Sequence, residues 1–187
     1  MVFRSLARAL APGFVLVFLL AGCNQLPNVA LPTRPTASAP PASPSTVTTV
    51  GGTGSEQVIA AYVSYWQAYG AAMRTRNIAA ARRLLANVTD ADFLRQVTAP
   101  MPRVWAAHEI GYGYAIPHVL GVIRRSTSAS LHDCLDLSHF GVQDTRTGLI
   151  VPGSFGLPEL NFYVTLTRSA GRWVVSNMQQ VEVPCTP

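Results

Sequence analysis

The sequence predicts an α+β domain over residues 55–187, with helices laid on one face of a sheet of antiparallel strands. Two observations carry that prediction. Apolar residues recur every three or four positions as far as His108, and after Gly111 the recurrence shortens to every second position. A block of helices followed by a run of strands joined by short turns belongs to α+β architecture, whereas alternating strands and helices would imply a parallel sheet.

The elements follow in order. In 56–73, Val58, Tyr62, Tyr65, Trp66, Tyr69 and Met73 form one helical stripe, with Thr53 and Glu56 at capping-box spacing ahead of it. Asn77 can cap a short second helix whose apolar face is Ile78, Ala81, Leu85 and Val88. Thr89, three residues before Asp92, can start a third helix carrying Phe93, Leu94 and Val97. Pro100 and Pro102 interrupt it, and a further turn or two with Val104 and Trp105 runs to His108. Strands are expected at 117–126, 128–137, 159–168 and 171–183, with a short one at 139–143 or 148–152. Asp144 to Gly148 and Ser169-Ala170-Gly171 are turn signals, the second closing a hairpin.

Ahead of the domain lie two segments of different chemistry. Arg4 and Arg8 precede an apolar run, Phe14 to Leu20, that is shorter than the roughly 20 residues a membrane-spanning helix needs. Leu20-Ala21-Gly22-Cys23 then offers small residues to a peptidase and a thiol immediately after the break. This resembles the bacterial lipoprotein signal, which implies removal of 1–22 and lipid on Cys23, with an ordinary signal and a chance cysteine as the alternative. Residues 24–54 hold six prolines, no aromatic residue and one charge, Arg34, so 23–54 reads as a lipidated, disordered tether. The expected location is the outer face of the cytoplasmic membrane, with the membrane engaged through the acyl chains.

The chain has a formal net charge of +5, but three of its arginines lie before residue 55. So mild a balance in the domain, without a basic cluster larger than Arg82-Arg83 or Arg124-Arg125, gives no case for nucleic acid. With Cys23 assigned to lipid, Cys134 and Cys185 remain as an even pair in an oxidising compartment, and a disulfide between them is expected. Two separate thiols are the alternative.

The long first helix with Tyr62, Tyr65 and Trp66, the short helix after Arg76-Asn77, and strands ending in Gly171-Arg172-Trp173-Val174-Val175 resemble the nuclear transport factor 2-like superfamily, the cystatin-like cone fold. Leu131 to Asp136, Thr147-Gly148 and Cys185 resemble its small actinobacterial secreted or lipoprotein members. The resemblance implies three helices on a curved, mostly antiparallel sheet, with a cavity between the layers and pairing of sheets into a homodimer. It implies no one activity, since the fold hosts isomerases, dehydratases, hydrolases and transport factors alike, and no cofactor is expected.

Enzymes of that superfamily use a carboxylate at the base of an apolar cavity, where desolvation raises its pKa toward the working pH. In a regular strand Leu131, Asp133, Leu135 and Leu137 share a face, which makes Asp133 the candidate buried acid, catalytic or structural. Tyr62, Tyr65 and Trp66 are candidate ligand contacts, and at helical spacing they also read as core. His132, Asp136 and His139 follow no strong metal-ligand spacing, and no metal is expected. His108 beside Glu109 reads as a frayed helix end, and Gly111-Tyr112-Gly113-Tyr114 as a connecting loop able to gate a pocket. Two functions follow: a non-catalytic envelope module binding a small apolar ligand, a lipid or another envelope protein, and a cavity enzyme using Asp133.

Overall fold

The computed structural model describes residues 53–185. The expected signal segment, Cys23 and the tether as far as residue 52 lie outside the described residues. The elements among the described residues are α1 (Thr53–Arg74), α2 (Ile78–Leu85), α3 (Ala91–Thr98), α4 (Met101–Ala106), β1 (Glu109–Gly113), β2 (Val119–Arg124), β3 (Ser128–Leu135), β4 (Phe140–Asp144), β5 (Leu160–Ser169) and β6 (Arg172–Gln180). All strand pairings are antiparallel, so the domain is α+β with helices packed on a sheet. No helix among them is long and apolar enough to cross a membrane.

The starts of α2 and α3 are set by short polar side chains. Asn77 accepts from the Ala80 amide at 3.0 Å, satisfying one of the orphan donors of α2. Asp90, not Thr89, caps α3, taking the Phe93 amide at 2.8 Å. The reason is that Thr89 is used elsewhere: its hydroxyl donates to the Leu85 carbonyl, and its backbone bridges Val175 of β6 in parallel. The α2–α3 link thereby covers the free edge of β6, with Asp90 N–H donating to Val175 and Val175 N–H to Val88. The turn expected to carry Val104 and Trp105 is the helix α4, and the Trp105 indole N–H donates to the Met73 carbonyl at the end of α1.

The strands divide into two sheets rather than one. Four of them, in the order β2-β3-β5-β6, make the larger sheet, and β1 pairs with β4 in a separate two-stranded ribbon. β1 is the main departure from expectation, since its two glycines read as loop. The close approach of α1 explains them: a Cβ on Gly111 would lie 2.6 Å from Met73 Cβ, and Gly113 turns with φ +79° against the His139 carbonyl. Glu109 accordingly opens a strand and is not a helix end. The expected hairpin joins β5 to β6 through Ala170 and Gly171, whose φ values of 48° and 79° match a two-residue turn with both central residues left-handed.

The core lies between α1 and the inner face of the larger sheet. Val58, Tyr62 and Tyr65 of α1 are buried with Val122, Leu131, Val164, Leu166 and Val175 of the strands. Leu85, Phe93, Met101 and Trp105 close its helical end. Cys134 and Cys185 form the expected disulfide, with Cα atoms 5.7 Å apart and 51 residues of separation. It holds the segment after β6 on the outer face of β3, where the Asn161 side-chain amide donates to the Val183 carbonyl at 3.2 Å.

Candidate functional site

Alternation along β3 places the expected acid. Ala129, Leu131, Asp133 and Leu135 point inward, and Asp133 is fully buried between its cross-strand neighbours Val119 and Phe162. Leu137 does not continue the row, because the strand ends at Leu135 and the Leu137 amide donates to Leu157 instead. The Tyr62 hydroxyl donates to Asp133 Oδ2 at 2.8 Å. Asp133 Oδ1 is buried and has no partner of hydrogen-bond geometry. Burial pushes the carboxyl up to about 6, and the Tyr62 hydroxyl, the His118 amide and the charges of His118 and His132 offset only part of that rise. Burial, and then the Asp133 charge, drive the Tyr62 phenol far above its ordinary value, so it stays a donor at every pH the domain meets.

Of the other aromatic candidates, Tyr65 is core. Its ring packs on Trp66, Tyr69 and Phe93, and burial raises its phenol pKa. Trp66 stands between core and surface. Its ring meets Tyr62 edge-on at 6.5 Å, and its Nε1 is buried without a hydrogen-bond acceptor. The same residue lines a surface groove of about 340 Å³ between α1 and the β1–β2 connection. Gln67, Gly70 and Arg74 continue the α1 wall, and Tyr114 supplies the other. Tyr114 is 60% exposed yet held: its amide donates to His139 and its ring stacks on the His139 imidazole at 5.5 Å.

The outer face of β3 and the turn that follows it carry the remaining polar candidates. His132 stacks on Tyr163 at 4.6 Å and shares a 2.8 Å hydrogen bond with Asn161. Asp136 accepts from the Ser138 amide, and the bonds from Ser138 hold its carboxyl below the ordinary value. His139 is engaged by the Ser138 hydroxyl and stacks on Tyr114, so Asp136 and His139 meet at Ser138 while His132 turns to Tyr163 and Asn161. Among the described residues no group of three or more His, Cys, Asp or Glu could hold a metal ion. A second groove of about 390 Å³ runs along the disulfide, lined by His118, Asp136 and Glu159. His118 is exposed at the start of β2, its carbonyl accepting the Cys134 amide.

Chemically, then, one buried acid bonded to a phenol lies behind Trp66, and an open groove of mixed polarity lies in front of it. Asp133 lines neither groove. Gly70, Arg74 and Gln67 are the site residues that reading for core passed over. They stand on α1 at 67, 70 and 74, the three- and four-residue spacing that marks a second stripe beside the buried one.

No family model matches the chain, and no curated protein does. Among solved structures, the intermembrane space region of chloroplast protein ARC6 superposes with a TM-score of 0.51 at 11% identity, covering 72% of this chain and 98% of that one. A de novo β-sheet design aligns with a TM-score of 0.34 at 10% identity, over 70% of this chain and 92% of its own. The first likeness concerns fold alone.

Proposed function

We propose that the protein is a lipoprotein anchored through Cys23 to the outer face of the cytoplasmic membrane. It carries a nuclear transport factor 2-like cone domain that binds a ligand or another envelope protein without catalysing a reaction. The observation that carries the binding reading is the separation of acid from access. Asp133 is enclosed by Leu131, Leu135 and Phe162 and bonded to Tyr62, whereas the open groove beside Trp66 is lined by no carboxylate, histidine or thiol. A cavity acid needs substrate within about 3 Å of its carboxyl. The Cys134–Cys185 disulfide supports an extracytoplasmic location, because such bonds persist where the medium is oxidising.

The second reading, a cavity enzyme of isomerase, dehydratase or hydrolase type, draws on one specific feature. A carboxyl raised to about 6 beside a phenol is an acid–base pair poised near neutral pH. It requires the core to open around Asp133. The test of the whole proposal is recovery of the intact chain from its host in mild detergent, followed by native mass spectrometry. A chain bearing diacylglycerol on Cys23 with a bound small molecule or protein is expected. An unprocessed, unlipidated chain in the soluble fraction would refute the anchor, and a chemically altered substrate would refute the binding role.

A further inference from the structure

We propose that the groove between α1 and the β1–β2 connection is a binding site for a small organic anion with a flat apolar body, of which an aryl carboxylate is the type. This rests on reading the domain as a binding module, and it names the ligand class and the site. Arg74 carries the argument. A cation in the last turn of a helix ordinarily serves the helix end, where free carbonyls collect. Here two of those carbonyls have other donors: the Trp105 indole N–H takes Met73, and the Thr75 amide and hydroxyl take Ala72. The Arg74 side chain turns back instead, so that a methyl group built on Gly70 would lie 3.6 Å from Nη1 and 3.9 Å from Nη2. Arg74 makes no salt bridge or hydrogen bond among the described residues, and no carboxylate lines the groove. A guanidinium laid in a groove without a counter-charge, its planar fork free, is matched to a carboxylate.

Gly70 makes the room. Glycine weakens a helix interior, and an alanine here would stand at ordinary contact distance from its neighbours, 3.6 Å from both Arg74 Nη1 and Phe140 Cε2. Packing alone therefore does not call for glycine, and the missing side chain leaves the groove its floor. The walls suit a flat ring. Trp66 is fixed edge-on to Tyr69 at 5.7 Å and to Phe140 at 6.4 Å, and Tyr114 is fixed by its stack on His139. A volume of about 340 Å³ is at the small end of ligand pockets, roughly 300 to 1,000 Å³, which favours a compact molecule over a lipid chain.

The test is titration of the full chain in non-ionic detergent with 2-naphthoate and, separately, with uncharged 2-naphthamide, followed by indole N–H NMR and calorimetry. The chain holds three tryptophans, and a Trp66→Phe spectrum assigns the one in the groove. Naphthoate should shift the Trp66 resonance and leave Trp105 and Trp173 in place. Arg74→Gln, a change at an exposed position, should weaken naphthoate by about tenfold or more and leave naphthamide unaffected. Gly70→Leu should abolish both. No shift at Trp66 up to millimolar naphthoate, equal affinity for acid and amide, or unchanged affinity in Arg74→Gln with folded protein would each overturn the proposal. Naphthoate mapping to the disulfide groove would overturn this site and leave the binding reading standing. Turnover of a substrate that disappears in Asp133→Asn would defeat the binding reading and leave the anion site intact.

Discussion

Replacing Asp133 by Asn should remove most of the dependence of stability on pH between 4.5 and 7. The Asp133 carboxyl is raised from an ordinary 3.8 to about 6, first by burial. A folded state that holds the proton more tightly than the unfolded state loses stability as pH rises, because unfolding then releases protons. The contribution is thus fully unfavourable above the folded pKa and fades as pH falls toward the unfolded one. A rise of about two units corresponds to about 3 kcal/mol over the whole titration, of which about 2 kcal/mol falls between pH 4.5 and 7. That window stays above the range in which Asp136 and Asp144 titrate, both held low by hydrogen bonds from Ser138 and Arg146. Their effect has the opposite sign, present at neutral pH and lost as pH falls below the ordinary carboxylate range. Urea unfolding of the full chain in non-ionic detergent at half-unit pH steps measures the slope. Wild-type protein should be more stable at pH 4.5 than at 7 by about 2 kcal/mol, and Asp133→Asn should be nearly level. A wild-type curve that is flat or rises with pH at constant m-value would refute the buried, raised acid. So would an Asn variant whose slope matches wild type.

Tyr62→Phe removes the one side-chain donor to Asp133 and should destabilise by about 1.5–3 kcal/mol at pH 7, less at pH 4.5 where the carboxyl is protonated, as read by the same unfolding series. Cys134→Ser with Cys185→Ser should lower stability by about 2–4 kcal/mol, the range for closing a loop of this size, and dithiothreitol should reproduce the loss in wild type. Gly111→Ala should destabilise severely, since its methyl would meet Met73 Cβ at 2.6 Å in a buried helix–strand contact, whereas Gly70→Ala should be neutral or stabilising by up to about 1 kcal/mol in thermal melts. Ala170→Asn, placing Asn-Gly in the β5–β6 turn, should raise the melting temperature, because alanine at φ 48° is disfavoured and asparagine tolerates that region.

How far the sequence was legible depended on whether a residue's reason was local. The stripe on α1, the cap at Asn77, the turn at Ala170-Gly171 and the alternation of β3 are encoded by neighbours in the chain, and the elements stand where periodicity puts them. β1 was not legible, because Gly111 is demanded by Met73 on another element, and glycine alone signals a loop as readily as a close approach. Thr89 and Asp90 are both acceptable caps by type, and only the bridge of Thr89 to Val175 decides between them. In the site, alternation reached Asp133, but its bond to Tyr62 joins residues 71 apart and no spacing announces it. Arg74 lay in plain view as a helix-end cation. Its side chain lies back over Gly70, one turn earlier, while Trp105 and Thr75 take the Met73 and Ala72 carbonyls.

The buried acid and the disulfide are adjacent residues of one strand, and that adjacency ties their energetics together. With Asp133 inward and Cys134 outward, a slip of β3 by one residue would carry the carboxyl to solvent and the sulfur into the core. Such a slip would relieve the penalty of the buried charge, about 3 kcal/mol at neutral pH, while turning the buried Leu131 and Leu135 to solvent. The Cys134–Cys185 bond resists it by holding the outward face to the chain end. Removing the bond should therefore matter most where Asp133 is ionised. The double serine variant should give well-dispersed β3 amide resonances at pH 4.5 and lose or multiply them at pH 7, and introducing Asp133→Asn should restore a single set at both. A double serine variant with one unchanged β3 spectrum from pH 4.5 to 7 would show that the inward leucines alone fix the register.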